Sequence, residues 1–265
     1  MAPFSAANST KTKTPNWVSV ARLPPIGRCV LCLMPSKRAR DICRHCEADL
    51  PWLADQAILP SADDRAAYSR HSLQLSRRAV TAVVAPLAYE REIVWLINQQ
   101  KRPSGRVASR VLAQLLAQRI KATYANHDLP DFVIPVPLHW RRELRRGVNQ
   151  AQMLVHWLSR SLPIRPRFDL LRRNRPTAKQ SLLGHAERQS NVAGAFSLTA
   201  HGRKRIEAKT IAVVDDVLTT GATLNSIARC LTDAGVANVH LWAPARAVLG
   251  PPSQATSPAA QARKK

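Results

Sequence analysis

The chain has 265 residues, 45% of them hydrophobic, and its 40 Lys and Arg against 17 Asp and Glu give a net charge of +23. That length accommodates one α/β domain and a smaller module, and no apolar run approaches a membrane span, which argues against insertion in a bilayer. Five cysteines are too few for a disulfide scaffold. The charge is expected to attract polyanions, either nucleic acid or a polyphosphorylated small molecule, unless the excess serves solubility alone.

Residues 1–27 are rich in Ser, Thr, Lys and Pro and are expected to be disordered. Residues 1–16 are polar and lack a signal-peptide core, so a cytoplasmic protein is expected. A module over 28–50 follows. Cys29-Val-Leu-Cys32 and Cys43-Arg-His-Cys46 are two Cys-x-x-Cys pairs with ten residues between them. A two-residue spacer lets both thiolates face one ion, so two pairs make a closed tetrahedral zinc site whose contribution is folding. Two redox pairs or free thiols are the alternatives, and redox pairs usually open a helix after a strand. His45 could substitute as a ligand, although an exposed neighbour is the better reading. Lys37, Arg38, Arg40 and Arg44 make the module basic, as in knuckles that bind nucleic acid.

Residues 51–78 read as a connection with short helical stretches, leading into a main domain over 79–249. Ala79 to Ala88 is a strand candidate, and Pro86 near its end points to an edge position. Glu90–Gln100 and Arg106–Tyr124 carry helical periodicity, the latter through Val107, Val111, Leu112, Leu115, Leu116 and Ile120. Phe132–Val136 is a buried strand running into Pro135-Val-Pro-Leu-His139. Arg141, Arg142, Arg145 and Arg146 come next, then Gly147, Asn149 and Gln150 before a helix over Ala151–Ser161. A cationic loop at a strand end suits pyrophosphate, since Arg engages phosphate oxygens bidentately; a solvated basic turn is the alternative. Arg167–Leu171 reads as another strand. From Arg173 to Phe196 the chain is polar, with Arg175, Thr177, Gln180, Arg188, Asn191 and Gly194 along it, which suits a functional loop.

The most informative stretch is Ile211 to Thr223, Ile-Ala-Val-Val-Asp-Asp-Val-Leu-Thr-Thr-Gly-Ala-Thr. Ile211–Val214 is a continuous apolar run, as for a parallel strand buried on both faces. From Thr223, Leu224, Ile227, Ala228, Leu231 and Ala234 recur at helical spacing, with Gly235 as the C-terminal cap. Between them, Gly221 lets successive N–H groups converge on an anion, Thr219, Thr220 and Thr223 add hydroxyls, and the helix start adds positive charge. Asp215 and Asp216 repel phosphate but accept from vicinal hydroxyls, so the pair beside the cradle suggests a ribose 5-phosphate. A Thr-capped strand–helix turn with two solvated acids is the bland alternative. Cys230 reads as a small core residue, and 250–265 as a disordered tail.

Val213 to Thr223 resembles the phosphoribosyl pyrophosphate (PRPP) motif of type I phosphoribosyltransferases; the Gly-Lys-Ser/Thr ending of a Walker loop is absent. The four cysteines, Pro-Val-Pro-Leu-His…Arg-Gly-x-Asn-Gln, Arg-x-x-Thr-x-x-Gln…Arg-x-x-Asn-Val-x-x-Ala-Phe and the PRPP motif occur in that order. Together they resemble the competence protein F (ComF) family, which includes the GntX-like proteins, over about Cys29 to Val248. Val148 stands where that family has Phe. The resemblance implies a Rossmann-like parallel sheet of the type I phosphoribosyltransferase kind with an N-terminal zinc module. It also implies Asp215 and Asp216 on the ribose hydroxyls and Leu218, Thr219, Thr220, Gly221, Ala222 and Thr223 around the 5-phosphate. Arg141, Arg142, Arg146, Arg175, Thr177, Gln180 and Arg188 would form a pyrophosphate clamp and lid, with Mg²⁺ on PRPP and Zn²⁺ on the cysteines. His139 is a candidate base by position alone. A role in DNA uptake, with single-stranded DNA and competence or DNA-processing proteins as partners, stands beside phosphoribosyl transfer to an unidentified acceptor.

Overall fold

A computed structural model describes residues 27–36, 38–53, 79–102, 105–139, 144, 147–175 and 194–248. Expectations for the two termini, for residues 54–78, and for Lys37, Arg141, Arg142, Arg145, Arg146, Thr177, Gln180, Arg188 and Asn191 lie outside these residues.

The strongest apolar runs become a parallel sheet. Strands β1 (Ala82–Val84), β3 (Phe132–Pro135), β6 (Thr210–Val214) and β7 (Asn238–Trp242) pair in the order β1-β7-β6-β3, with Val84 and Val214 both opposite Trp242 and Pro135 opposite Val214. The sheet is covered on both faces, which is why these runs do not alternate with polar residues. Within β6, Ala212 and Val214 join one core with Val133, Trp242 and helices α2 (Arg91–Gln100), α3 (Arg106–Thr123) and α4 (Gln150–Ser161). Ile211 and Val213 point the other way, into a core with Leu241 and helix α6 (Ala222–Thr232). The period of two therefore sorts one apolar strand between two helical layers.

The local signals act as expected in most places. Edge strand β1 stops before Pro86, and the chain resumes as β2 (Leu87–Ala88), parallel to β8 (Ala245–Arg246). Helix α4 begins at Asn149, whose side chain accepts the N–H groups of Ala151 (3.0 Å) and Gln152 (3.4 Å) and donates to the Val136 carbonyl (3.1 Å). That double role ties the helix start to the end of β3. Helix α6 ends in the paired turn of a Schellman motif. Val236 N–H reaches the Leu231 carbonyl at 3.2 Å and Gly235 N–H the Thr232 carbonyl at 3.0 Å, with Gly235 at φ +88°.

One strand is displaced from its expected place. Arg167–Leu171 contains a turn in which Arg167 donates to Asp169 at 2.7 and 2.9 Å. The extended segment is instead β4 (Leu171–Arg173), antiparallel to β5 (Phe196–Leu198). The local Arg–Asp pair stabilises a bend where the sequence reads as a strand. A short helix α5 (Ala200–Arg203) follows, capped by Thr199. Among the described residues no helix is long and apolar enough to cross a membrane.

One buried polar cluster centres on Tyr124. The Tyr124 hydroxyl lies 2.7 Å from Nδ1 of His240 and accepts from Trp242 Nε1 at 3.2 Å. Burial pushes His240 down to about 4, so the imidazole is neutral in the folded protein at neutral pH. With a folded value below the unfolded one, stability is complete above pH 6.5 and falls on acidification. The loss between pH 6.5 and 4 is expected to reach about 3 kcal/mol in urea denaturation, and His240→Gln, which keeps a partner for Tyr124, is expected to flatten the slope.

Candidate functional site

In a parallel sheet the loops at the C-terminal strand ends share one edge, and this is where such folds place ligands. Val214 is the last residue of β6, and Asp215 and Asp216 follow it directly. Asp215 N–H donates to the Trp242 carbonyl at 3.0 Å, and Asp216 N–H to Asp215 Oδ1 at 2.8 Å. Burial, then the neighbouring charge of Asp216, raises the Asp215 carboxyl to about 8 against the pull of Arg173. Asp215 therefore holds its proton more readily than an ordinary carboxyl does.

The loop beyond is held by backbone pairing. Leu218 is fully buried; its N–H donates to the Ala245 carbonyl at 2.9 Å and its carbonyl accepts from Ala247 N–H at 2.7 Å. Gly221 takes the left-handed conformation (φ 79°, ψ 0°) immediately before α6, which a side chain would strain. Thr220 Oγ1 is buried with no hydrogen-bond partner among the described residues. An orphaned hydroxyl, a glycine turn and a helix start are what an anion cradle needs, so these residues fit a phosphate group.

Several groups around the acids escape the sequence reading. Lys101 Nζ, just past α2, lies 3.9 Å from Asp216 Oδ2. Tyr89 is raised by burial and by the charge of Asp216. Arg246, only 3% exposed, stands in β8 opposite Leu218. A lone Arg in the apolar run Leu241 to Leu249 is the signal that marks Arg246; nothing local marks Lys101, which approaches the acids through tertiary packing. His139 is buried beyond the end of β3, on the same edge. Arg175 is exposed just beyond β4. On the other side of α6, a cleft of about 550 Å³ runs between its polar stripe (Asn225, Ser226, Arg229) and the β5 segment with Arg203.

The four cysteines form a second centre. Their sulfurs all lie within 4.8 Å of one another, with Cys32 and Cys43 Sγ 3.8 Å apart. A tetrahedral ion with ~2.3 Å bonds to sulfur spaces its ligands ~3.8 Å apart, so the cluster fits a metal such as zinc. The thiols cannot all ionise unaided. Against the cost of burial, backbone donors bring Cys29 down to about 6, whereas burial and the neighbouring thiols push Cys46 up. A cation removes that conflict. His45 is exposed and outside the cluster. The second pair does open a helix, α1 (Arg44–Ala48), with Cys43 as its cap, although no strand precedes it. Of the module's basic residues, Arg38 and Arg40 both pair with Glu47, Arg40 at 2.7 Å.

Fold and site together define an α/β protein with an acid pair and a glycine-turned loop at one strand end and a four-cysteine module packed beside the sheet. No protein-family model matches the chain. It is 31% identical over 217 residues to DNA utilization protein YhgH of Escherichia coli, covering 81% of this chain and 82% of that protein. It is 40% identical over 140 residues to competence protein F of Haemophilus influenzae, covering 52% of this chain and 61% of that one. The chain belongs to the family of these competence and DNA utilization proteins. Among solved structures it is similar to the glutamine PRPP amidotransferase of B. subtilis (TM-score 0.34, 21% identity, 52% of this chain and 26% of that one). A similar likeness is to L. donovani hypoxanthine-guanine phosphoribosyltransferase (TM-score 0.34, 13% identity, 52% and 67%).

Gly221→Ala tests the loop geometry directly. Because the left-handed turn disfavours a Cβ, the substitution is expected to lower unfolding free energy by about 1 kcal/mol, measured by chemical denaturation.

Proposed function

We propose that this chain binds a ribose 5-phosphate ligand of the PRPP class with Mg²⁺ at the C-terminal edge of its sheet, and that it serves DNA uptake or processing in the cytoplasm. The observation that carries the reading is the acid pair Asp215-Asp216 on the same strand end as a loop with an orphaned hydroxyl and a left-handed glycine. Leu218 to Thr223 would cradle the 5-phosphate, and the two carboxyls would take the ribose hydroxyls. Lys101 and Arg175, with Arg141, Arg142, Arg146, Thr177, Gln180 and Arg188, would face the pyrophosphate and close over it. When bound, Mg²⁺ neutralises pyrophosphate oxygens. Zn²⁺ would occupy the four cysteines in a structural role.

The names of its relatives, competence and DNA utilization proteins, support the DNA half of the proposal. So does the surface: Arg172, Arg175, Arg203, Lys204, Arg205 and Arg229 are all exposed, on or near β4, α5 and α6. Their charges suit single-stranded DNA phosphates.

A second reading is transfer of the ribose 5-phosphate group from PRPP to an acceptor. The bond from the anomeric carbon to pyrophosphate would break as the bond to the acceptor forms. What favours it is the intact acid pair with Lys101 beside it, which a DNA-binding surface does not require.

Titration calorimetry with PRPP and Mg²⁺ separates these ideas from a chain that lacks the ligand. Binding is expected, and Asp215→Asn with Asp216→Asn is expected to weaken it at least about tenfold (~1.4 kcal/mol); no binding, or binding indifferent to the pair, overturns the site. Consumption of PRPP with amines or nucleobases would then select the transfer reading. Single-strand affinity is expected to fall linearly with log salt, with a slope of about −0.7 per phosphate contact, and a flat salt response excludes the DNA role.

A further inference from the structure

The cysteine module and the phosphate loop belong to one small ladder. Trp52 bridges Leu87 in antiparallel fashion, Leu53 N–H donates to the Pro86 carbonyl at 2.9 Å, and Ala88 N–H donates to the Pro51 carbonyl at 2.9 Å. On its other edge β2 runs parallel to β8, Leu87 opposite Ala245 and Ala88 opposite Arg246. Strand β8 in turn pairs with Leu218, the first residue of the phosphate loop. Each rung is one or two residues long, far below what stands alone in water, so each depends on the one outside it.

The outermost rung hangs from the cysteines. Trp52 Nε1 donates to the Glu47 carbonyl at 2.8 Å, and Glu47 lies in α1 between Cys46 and the helix end. That helix spans five residues and buries none of them fully, with Cys46 alone of its residues among those packed against the core, so its length does not order it. The Arg119 guanidinium lies 5.8 Å from the Trp52 ring centre. Asp41, 1% exposed, accepts from Arg110 Nε of α3 at 2.6 Å, and Ile42 and Leu50 are buried in the core that holds Leu87 and Ala245. The module is therefore anchored to the domain by its body, while its last helix is joined to that body through the cysteines and through the pairs of Glu47 with Arg38 and Arg40.

We propose that the metal-held cysteine module is a positioning element for the Leu218–Thr223 loop, acting through Trp52 and Leu53. The functional consequence rests on reading that loop as a phosphate site; the coupling does not. Loss of the ion frees α1, α1 releases Trp52, and the β2–β8–Leu218 ladder loosens from its outer edge inward. The four strands of the main sheet, closed by two helical layers, keep their pairing.

Hydrogen exchange followed by mass spectrometry on the full chain, without ligand, tests this. Zinc content is measured in parallel, and chelation supplies the metal-free protein. Removal is expected to speed exchange across residues 216–223 and 245–248 by about tenfold or more while the interiors of β6 and β7 stay protected. Leu53→Pro, which deletes the donor to Pro86 but leaves the cysteines intact, is expected to do the same with zinc retained. Unchanged loop exchange on chelation, equal loss of protection everywhere, or a protected loop in Leu53→Pro would each overturn the proposal, the second by reducing the ion to general stabilisation. Loosening of the loop in a protein that shows no affinity for PRPP would uphold the coupling and refute the ligand reading.

Discussion

Strand β6 sets the terms for the rest of the molecule. It has β3 on one edge and β7 on the other, so its hydrogen bonds are spent in both directions and both of its faces must be apolar. A strand so enclosed can offer chemistry at its ends and nowhere else. Asp215 and Asp216 therefore begin where pairing with Trp242 ends, and the backbone of the next loop is taken up by Ala245 and Ala247. The loop from Leu218 to Thr223 owes its shape to that second row of pairing as much as to its own glycine.

A strongly cationic protein with two acids at the centre of its site poses an electrostatic question. The acids are not offset by general surface charge, which water and salt screen within a Debye length. They are offset by groups that packing brings near: Lys101 from the end of α2 and Arg173 from β4. Burial nevertheless prevails at Asp215, whose carboxyl keeps a proton to well above the ordinary range. Such an arrangement is costly for stability and suited to receiving hydroxyls or a cation. That is the usual mark of a binding site rather than of a structural ion pair.

The cysteine module is less of an appendage than its spacing implies. Cys29, Ile42 and Leu50 are buried in the same core as α3 and Trp242, and Asp41 reaches Arg110. Two of its arginines are engaged with Glu47 and lie in the module's own framework. Exposed basic residues gather instead around β4, α5 and α6, beside the cleft that flanks α6.

Much of this was legible in one dimension because the relevant physics is local. An apolar run of β-branched residues, a glycine at a left-handed turn, hydroxyls before a helix and paired cysteines each imply their conformation or ligand from a few neighbours. Strand β6, the loop, helix α6 and the cysteine cluster follow from such signals, as do α2, α3 and α4 to within a residue or two. The expected strand over Arg167–Leu171 failed because an Arg167–Asp169 contact accompanies a bend in the chain there. What only the tertiary structure decided are the meetings between distant segments: Lys101 with Asp216, Arg246 beside Leu218, and Trp52 laid along Leu87. These contacts depend on strand order and on the return of the chain across the sheet, and no local propensity encodes either. The sequence by itself determined which residues stand at the strand end; folding decided which charges surround them and what holds their loop.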